Sequence, residues 1–189
     1  MSARRGDLTV SRFRTRKTAH LLAYLALYVR RRHAREELCD LLWPDSSPED
    51  GRSSLRMALA SLRRQMEPPG TPAGAVLQAD RTHLSLNPSA ARCDAVRFTD
   101  ALRAAERATS EQVRVQHLVG AVDLYGGPLL PGVYEDWALA ERDHLQESYL
   151  DALLRLAALY GDQGDLGRAL DYAGRAVVAD PLREEAIAT

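Results

Sequence analysis

The sequence predicts a mostly α-helical protein that carries a small β-hairpin and divides into two parts. Apolar residues recur at helical spacing through most of the chain, and two short alternating segments at 76–79 and 83–86 flank a three-residue turn. Residues 1–88 hold 15 Lys and Arg against 9 Asp and Glu, whereas residues 89–189 hold 10 against 17. A net charge of +6 in the first part and −7 in the second indicates that the first part faces nucleic acid and the second faces something else.

The first part opens with elements that lead up to one basic helix. Residues 8–14 alternate weakly and predict a short strand, and Thr15 is placed to cap a helix over about 16–30. A second helix over about 34–43 ends at Pro44, because the residue before a proline avoids the helical conformation. Residues 44–48 then form a short polar loop.

The helix predicted over 48–66 has the clearest pattern in the chain. Ser47 can cap its start, Pro48 suits the first helical position, and Asp50 completes the spacing of a capping box. One side carries apolar residues at helical spacing, namely Leu55, Leu59, Leu62 and Met66. A second helix, a short loop and this basic helix together make a helix-turn-helix pattern.

The other side of the same helix is basic. Arg52, Arg56 and Arg63 fall on one stripe with only Ala60 between them, and the residues that flank the stripe are Ser53, Ser54 and Arg64. Arginine pairs with guanine edges or phosphates, and small residues let a helix approach closely, so this face suits a DNA major groove. The alternative that remains open is an ordinary solvated amphipathic helix.

The hairpin at 76–79 and 83–86 stands where a winged helix places its wing, and Asp80, Arg81 and Thr82 form its turn. We predict that Arg81, Thr82 and His83 approach the DNA backbone beside the groove, as do Arg16 and Lys17 at the start of the first helix. These contacts do not depend on sequence. The alternative for Arg81 is an exposed turn residue without a ligand.

Residues 87–91 are the best linker candidate, and helices are predicted after it over about 94–108, 110–125, 135–160 and 166–179, with another after Pro181. The segment 126–132 is a firm break that we expect to be ordered, because its leucines would otherwise be exposed. Packing residues stand where a tetratricopeptide unit has them, at Leu153, Leu156, Ala157, Tyr160, Ala169, Ala176 and Pro181. We expect this helical lobe to pack directly on the first part, since the linker is short.

These motifs together resemble a known family. The segments 16–18, 35–38, 42–45, 55–56 and 62–64 resemble the OmpR-type winged helix of the antibiotic regulatory protein (SARP) activators. The segments 124–132, 135–137, 141–142 and 180–185 resemble the bacterial transcriptional activator domain that follows it in that family. The resemblance implies a winged-helix DNA-binding domain over 1–88 and a bacterial transcriptional activator domain over 89–189. Family members usually have more strands before the first helix and continue beyond a position like Thr189, so we expect a fragment or a shortened member.

The resemblance also implies a function, that of a promoter-binding transcriptional activator. The expected partners are double-stranded promoter DNA and RNA polymerase, with self-association on DNA repeats left open and no membrane partner. In OmpR-type proteins the loop before the basic helix can meet RNA polymerase, which implies a partner-binding role here for Trp43, Asp45, Ser46 and Ser47. The alternative function is a helical-repeat scaffold for protein–protein interaction without specific DNA binding.

Other classes of function find no support in the residues. The sequence has no Gly-rich phosphate loop, no His/Cys metal spacing and no nucleophile motif, so neither an enzyme nor a cofactor is expected. Cys39 and Cys93 lie far apart, which fits a reducing, cytoplasmic location. The N-terminus lacks the apolar core of a signal peptide.

Overall fold

The computed structural model describes residues 3–5, 8–10 and 12–181. The chain divides into two compact units, Met1–Cys93 and Asp94–Thr189, which are called the N-terminal unit and the C-terminal unit below. Most of the described residues are helical, and the strands among them form two small antiparallel sheets. The predicted fold class is therefore confirmed.

The described part of the N-terminal unit contains the helices α1 (Arg16–Leu27), α2 (Arg35–Leu42) and α3 (Pro48–Met66). Helix α1 begins where predicted, because the Thr15 side chain accepts a 3.1 Å hydrogen bond from the backbone N–H of Thr18. Each of the three helices contacts the other two. All three contribute fully buried leucines, which are Leu21, Leu25, Leu38, Leu42, Leu55 and Leu62.

Five short strands complete the described part of this unit. Strands β1 (Ala3–Arg5) and β2 (Leu8–Val10) pair with each other. Strands β4 (Leu77–Ala79) and β5 (His83–Leu86) form the predicted hairpin, and β3 (His33–Ala34) pairs with the other side of β5. The order β3-β5-β4 places the hairpin beside the chain that enters α2, and its leucines are buried: Leu77, Leu84 and Leu86.

The structure differs from the prediction near the N-terminus. The strand predicted over 8–14 is β2 and ends at Val10, and residues 12–15 are not in a strand. Helix α1 ends at Leu27 rather than at 30, because the chain turns at Tyr28 and then runs into β3, where fully buried His33 packs against the Tyr28 ring. Strands β1 and β3 were not predicted, since two or three residues carry too little alternation to be recognised.

The described part of the C-terminal unit contains α4 (Asp94–Arg107), α5 (Glu111–Leu124), α6 (Asp136–Asp162) and α7 (Leu166–Ala179). Helix α5 begins at an N-cap, since the Ser110 side chain accepts a 3.3 Å hydrogen bond from the backbone N–H of Val113. Helix α4 packs on α5 and α6 packs on α7, while α5 also contacts α6. The helix predicted after Pro181 lies outside the described residues.

The residues expected from the tetratricopeptide pattern are mostly in the core of this unit. One cluster joins α5, α6 and α7 and includes Leu118, Val122, Leu153, Leu156 and Ala176. Tyr160 stacks on Tyr172 with ring centroids 5.7 Å apart, and Gly164 takes a positive φ of 77° in the turn between α6 and α7. Pro181, in contrast, is exposed.

The segment between α5 and α6 is a fixed corner. The guanidinium of Arg142 donates hydrogen bonds of 2.7, 2.7 and 2.8 Å to the backbone carbonyls of Leu129, Leu130 and Val133. Leu129 packs against the buried cluster that contains Phe98, and Leu130 and Gly132 take positive φ angles of 46° and 82°. The leucines of this corner are partly buried, as expected of an ordered segment.

Candidate nucleic-acid interface

Helix α3 begins at a complete N-cap. The Ser47 hydroxyl accepts a 3.2 Å hydrogen bond from the backbone N–H of Asp50 and donates one of 2.7 Å to the Asp50 carboxylate. Pro48 occupies the first turn, where its missing N–H costs nothing. The start of the helix is thus fixed by the three residues that the sequence indicates.

The back of α3 is fully packed. Leu55, Leu59, Leu62 and Met66 are all less than 9% exposed, as the apolar stripe predicts. Gly51 lies against α2, where an added Cβ would stand 3.4 Å from the Cβ of Cys39. Burial raises the pKa of the Cys39 thiol. The helix is therefore held in one rotational setting about its axis.

The exposed face of α3 follows from that setting. Arg52, Arg56, Met57, Ala60 and Arg64 are exposed, and Ser53 and Ser54 are half-buried beside them. The Nε of Arg52 donates a 3.0 Å hydrogen bond to the carbonyl of Pro48 one turn earlier, whereas the guanidinium groups of Arg56 and Arg64 make no hydrogen bond or ion pair with any described residue. The exposed face is centred near Ala60 and is not a pure arginine stripe.

Arg63 departs from the predicted arrangement. It was expected on the outward stripe, but its side chain turns toward the hairpin and is 39% exposed. Its Nη2 donates a 3.5 Å hydrogen bond to the carbonyl of Leu77, and its Nε lies 3.7 Å from the carboxylate of Glu67. A carboxylate and a carbonyl hold this guanidinium within the protein, so Arg63 joins α3 to β4.

The turn of the hairpin is organised by Asp80. Its carboxylate accepts hydrogen bonds from the backbone N–H groups of Thr82 and His83, at 2.8 and 2.7 Å, and from the Thr82 hydroxyl at 3.2 Å. The guanidinium of Arg32 also contacts it. The two backbone N–H groups are the main reason that the pKa of Asp80 is lowered to about 2.

The same turn is joined to the start of α2. The backbone N–H of Arg35 donates a 2.9 Å hydrogen bond to the carbonyl of Thr82, and its Nε donates one of 3.0 Å to the carbonyl of Asp80. The Thr82 hydroxyl also lies 2.9 Å from Nδ1 of His83. The Thr82 hydroxyl and Nδ1 of His83, which belong to residues predicted to meet DNA, thus make contacts within the turn. Arg81 is exposed, and its side chain makes no ion pair among the described residues.

The remaining predicted site residues lie in the first turn of α1 and in the loop before α3. Arg16 is exposed and Lys17 half-buried in the first turn of α1. In the loop between α2 and α3, Asp45 and Ser46 are exposed and Trp43 is half-buried, with its carbonyl accepting a 3.1 Å hydrogen bond from the N–H of Ser46. Ser47 is exposed, but its hydroxyl is the N-cap of α3.

Two residues that hold this surface together, and one that lies on it, were not predicted as site residues from the sequence. These are Glu67 and Asp80, whose carboxylates bind backbone N–H groups, and Met57 on the exposed face. Asp80 followed two residues later by Thr82 is a recognisable turn signal. No local signal indicates Glu67, because the N–H groups it binds belong to Val76 and Leu77, far along the chain.

The described residues contain no group of three or more His, Cys, Asp or Glu side chains placed to hold a metal ion. None of the helices described is long and apolar enough to cross a membrane.

Comparison with known proteins relates this chain to a domain family and to a regulatory protein. Residues 93–189 match the model of the bacterial transcriptional activator domain family. The chain is 29% identical over 167 residues to the regulatory protein AfsR of Streptomyces coelicolor, an alignment that covers 87% of this chain and 16% of AfsR. The chain thus spans about a sixth of that relative and is similar to it across both units.

Proposed function

The chain belongs to the bacterial transcriptional activator domain family, and from that premise we propose that it is a transcriptional regulator of the SARP type whose N-terminal unit binds promoter DNA with α3 in the major groove. The observation that carries the proposal is the face of α3 that holds Arg52, Arg56 and Arg64. This face is long, exposed and basic. The opposite face of the helix is fully buried, so the arginines are held on the side away from the core. The major groove is about 12 Å wide and admits such a helix.

The charges on α3 assign different parts of it to different roles. Glu49 and Asp50 occupy the first turn, where their negative charges interact favourably with the helix dipole and repel a nearby DNA phosphate. Base and phosphate contacts therefore come from Arg52 onward, with Arg56 and Arg64 at the centre. Arg63 supports the hairpin instead of reading bases, because its guanidinium is held by Glu67 and Leu77.

The hairpin supplies a second contact of a different kind. Asp80 fixes the turn, so that Arg81 projects from a rigid support. One exposed arginine at a hairpin tip suits a phosphate, which carries charge but no sequence information. Arg16 and Lys17 are further candidates for contact with phosphates of the DNA backbone.

Activation requires a partner besides DNA, and we assign that role to the loop 43–47 and the acidic C-terminal unit. Asp45 and Ser46 are exposed next to the start of α3. The charge of −7 over residues 89–189 repels DNA phosphate and suits a basic surface on RNA polymerase.

The proposal is tested by mobility shift of the full chain. Duplexes are first enriched from a random library by binding to the protein, and the enriched duplex is then compared with a random duplex at about 50 and 200 mM salt. We expect the enriched duplex to bind at least about a thousandfold more tightly, and both affinities to fall as salt rises. Equal affinity for the two duplexes contradicts the proposal.

A helical-repeat scaffold is the second candidate function. Leu166 and Leu170 on α7 are 67% and 68% exposed, one turn apart, as expected of a surface that binds protein. Weak binding to all DNA, with no enriched sequence, favours this candidate.

A further inference from the structure

Helix α3 carries one large apolar side chain on its exposed face, and the arginine contacts leave it unexplained. Met57 is 49% exposed, although Leu55 and Leu59 on either side of it in sequence are 1% and 6% exposed. Ser53, Met57, Ala60 and Arg64 follow one another at spacings of four and three, so they lie in one row along the helix. Met57 stands in the middle of the face proposed to enter the groove.

A core role does not account for this methionine. The buried side of α3 is already filled by its leucines and by Met66, which is 8% exposed. A single exposed apolar residue on a protein surface is ordinary. Here, however, Ala60 one turn further is also exposed, and Arg56 and Arg64 stand beside the pair. The result is a small apolar area bordered by two guanidinium groups.

We propose that Met57, together with Ala60, contacts the C5-methyl group of a thymine and gives the DNA site a preference for thymine at that position. The inference rests on the proposed function, because it requires α3 in the major groove. The thymine methyl is the one apolar group that bases present there. Methionine has neither charge nor a strong hydrogen-bonding atom, so this methyl is its natural partner among the groups in the groove.

The neighbouring residues suit this contact. The thioether of methionine is unbranched and polarizable, which lets it follow the position of a methyl group. The small side chain of Ala60 allows the helix backbone to come near the base edge. Arg56 and Arg64, bound to phosphates or guanines on either side, would hold the row over one base step.

The test uses the full chain and the duplex enriched from a random library. Each thymine in that duplex is replaced in turn by deoxyuridine, which removes the methyl and leaves every hydrogen-bonding atom in place. Affinities are measured by fluorescence anisotropy for the wild type, for Met57→Ala and for Val178→Ala. The last variant shortens an apolar side chain that is 82% exposed in the C-terminal unit and serves as the control. Alanine keeps helix propensity at position 57.

We expect one thymine at which the replacement by deoxyuridine lowers the affinity of the wild type about fourfold. This factor corresponds to the roughly 0.8 kcal/mol of one buried CH₂ group. At that position the affinity of Met57→Ala does not change with the replacement, and Val178→Ala responds as the wild type does. Equal sensitivity of the wild type and Met57→Ala at every thymine overturns this inference and leaves the proposed function standing. Failure of the wild type to enrich any sequence overturns both.

Discussion

The carboxylate of Glu67 accepts a 2.8 Å hydrogen bond from the backbone N–H of Leu77, which joins the end of α3 to the first residue of β4. The same oxygen accepts a second hydrogen bond of 2.8 Å from the N–H of Val76, and the Glu67 side chain is only 3% exposed. Arg63, one turn earlier in α3, contacts the carboxylate of Glu67 and the backbone carbonyl of Leu77. The proposed reading helix and the hairpin are therefore positioned by one buried carboxylate.

Glu67 gives a prediction about stability and pH. Burial acts to raise the pKa of Glu67, but hydrogen bonds from the backbone of Leu77, Val76 and Gly74 and the charge of Arg63 outweigh it, and the pKa is lowered below 4.5. As pH falls, the unfolded chain therefore takes up this proton first. The stabilisation is complete above pH 4.5 and is lost as pH falls through the lowered pKa.

We expect Glu67→Gln to lower the free energy of unfolding by about 1–2 kcal/mol at pH 7, because neutral hydrogen bonds contribute less than charged ones. The difference between wild type and variant should shrink as pH falls below 4.5. Urea denaturation at a series of pH values measures both effects. A difference that is constant with pH would show that the charge of Glu67 does not matter.

Arg81 provides a prediction about salt. Its side chain projects from the turn that Asp80 fixes, and we assign it to a phosphate. Arg81→Ala should lower the affinity for the enriched and the random duplex by the same factor. It should also reduce the slope of log affinity against log salt by about one. Arg107→Ala, at an exposed arginine of α4, is the control for charge alone. A loss confined to one base position would contradict the assignment.

The loop between α2 and α3 provides a prediction about activation. Asp45→Asn combined with Ser46→Ala removes an exposed negative charge and an exposed hydroxyl, and it keeps both prolines and the cap. We expect unchanged DNA affinity but reduced transcription from a promoter that carries the enriched site. Ser47 must be left intact, because losing this N-cap costs about 0.5–2 kcal/mol. Normal transcription at normal promoter occupancy would remove the loop from the mechanism.

Arg142 gives a prediction for the C-terminal unit. Arg142→Ala leaves three carbonyls of the corner without their donor. We expect the free energy of unfolding to fall by about 3 kcal/mol, since hydrogen bonds to charged groups contribute about 1.5–3 kcal/mol each and are not additive. Amide exchange over 129–133 should also accelerate. Arg155→Ala, at an exposed position of the same helix, should leave both measurements unchanged, and an equal effect there would argue against the corner contact.

The elements that the sequence predicts well are those with local causes. Helix α3 could be predicted over its full length because Ser47, Pro48 and the leucine row all act within a few residues of one another. Helix α7 could be predicted for the same reason, with Asp165 as its cap. The contacts of the Arg63 side chain could not be predicted, because they depend on Glu67 and on Leu77, which lies 14 residues away. The short strand β3 likewise exists only because β5 passes beside it.

The central claim is that α3 reads the major groove, and guanine N7 is the atom that tests it most directly. In the enriched duplex each guanine is replaced by 7-deazaguanine, and affinities are measured for the wild type, for Arg56→Ala and for Arg64→Ala. Each substitution should cost about 1–3 kcal/mol if its arginine pairs with guanine. We predict at least one guanine whose replacement lowers the affinity of the wild type. At that guanine, the replacement should not lower the affinity of one of the two variants. Full affinity of the wild type for every modified duplex, or unchanged affinity of both variants, would contradict the claim.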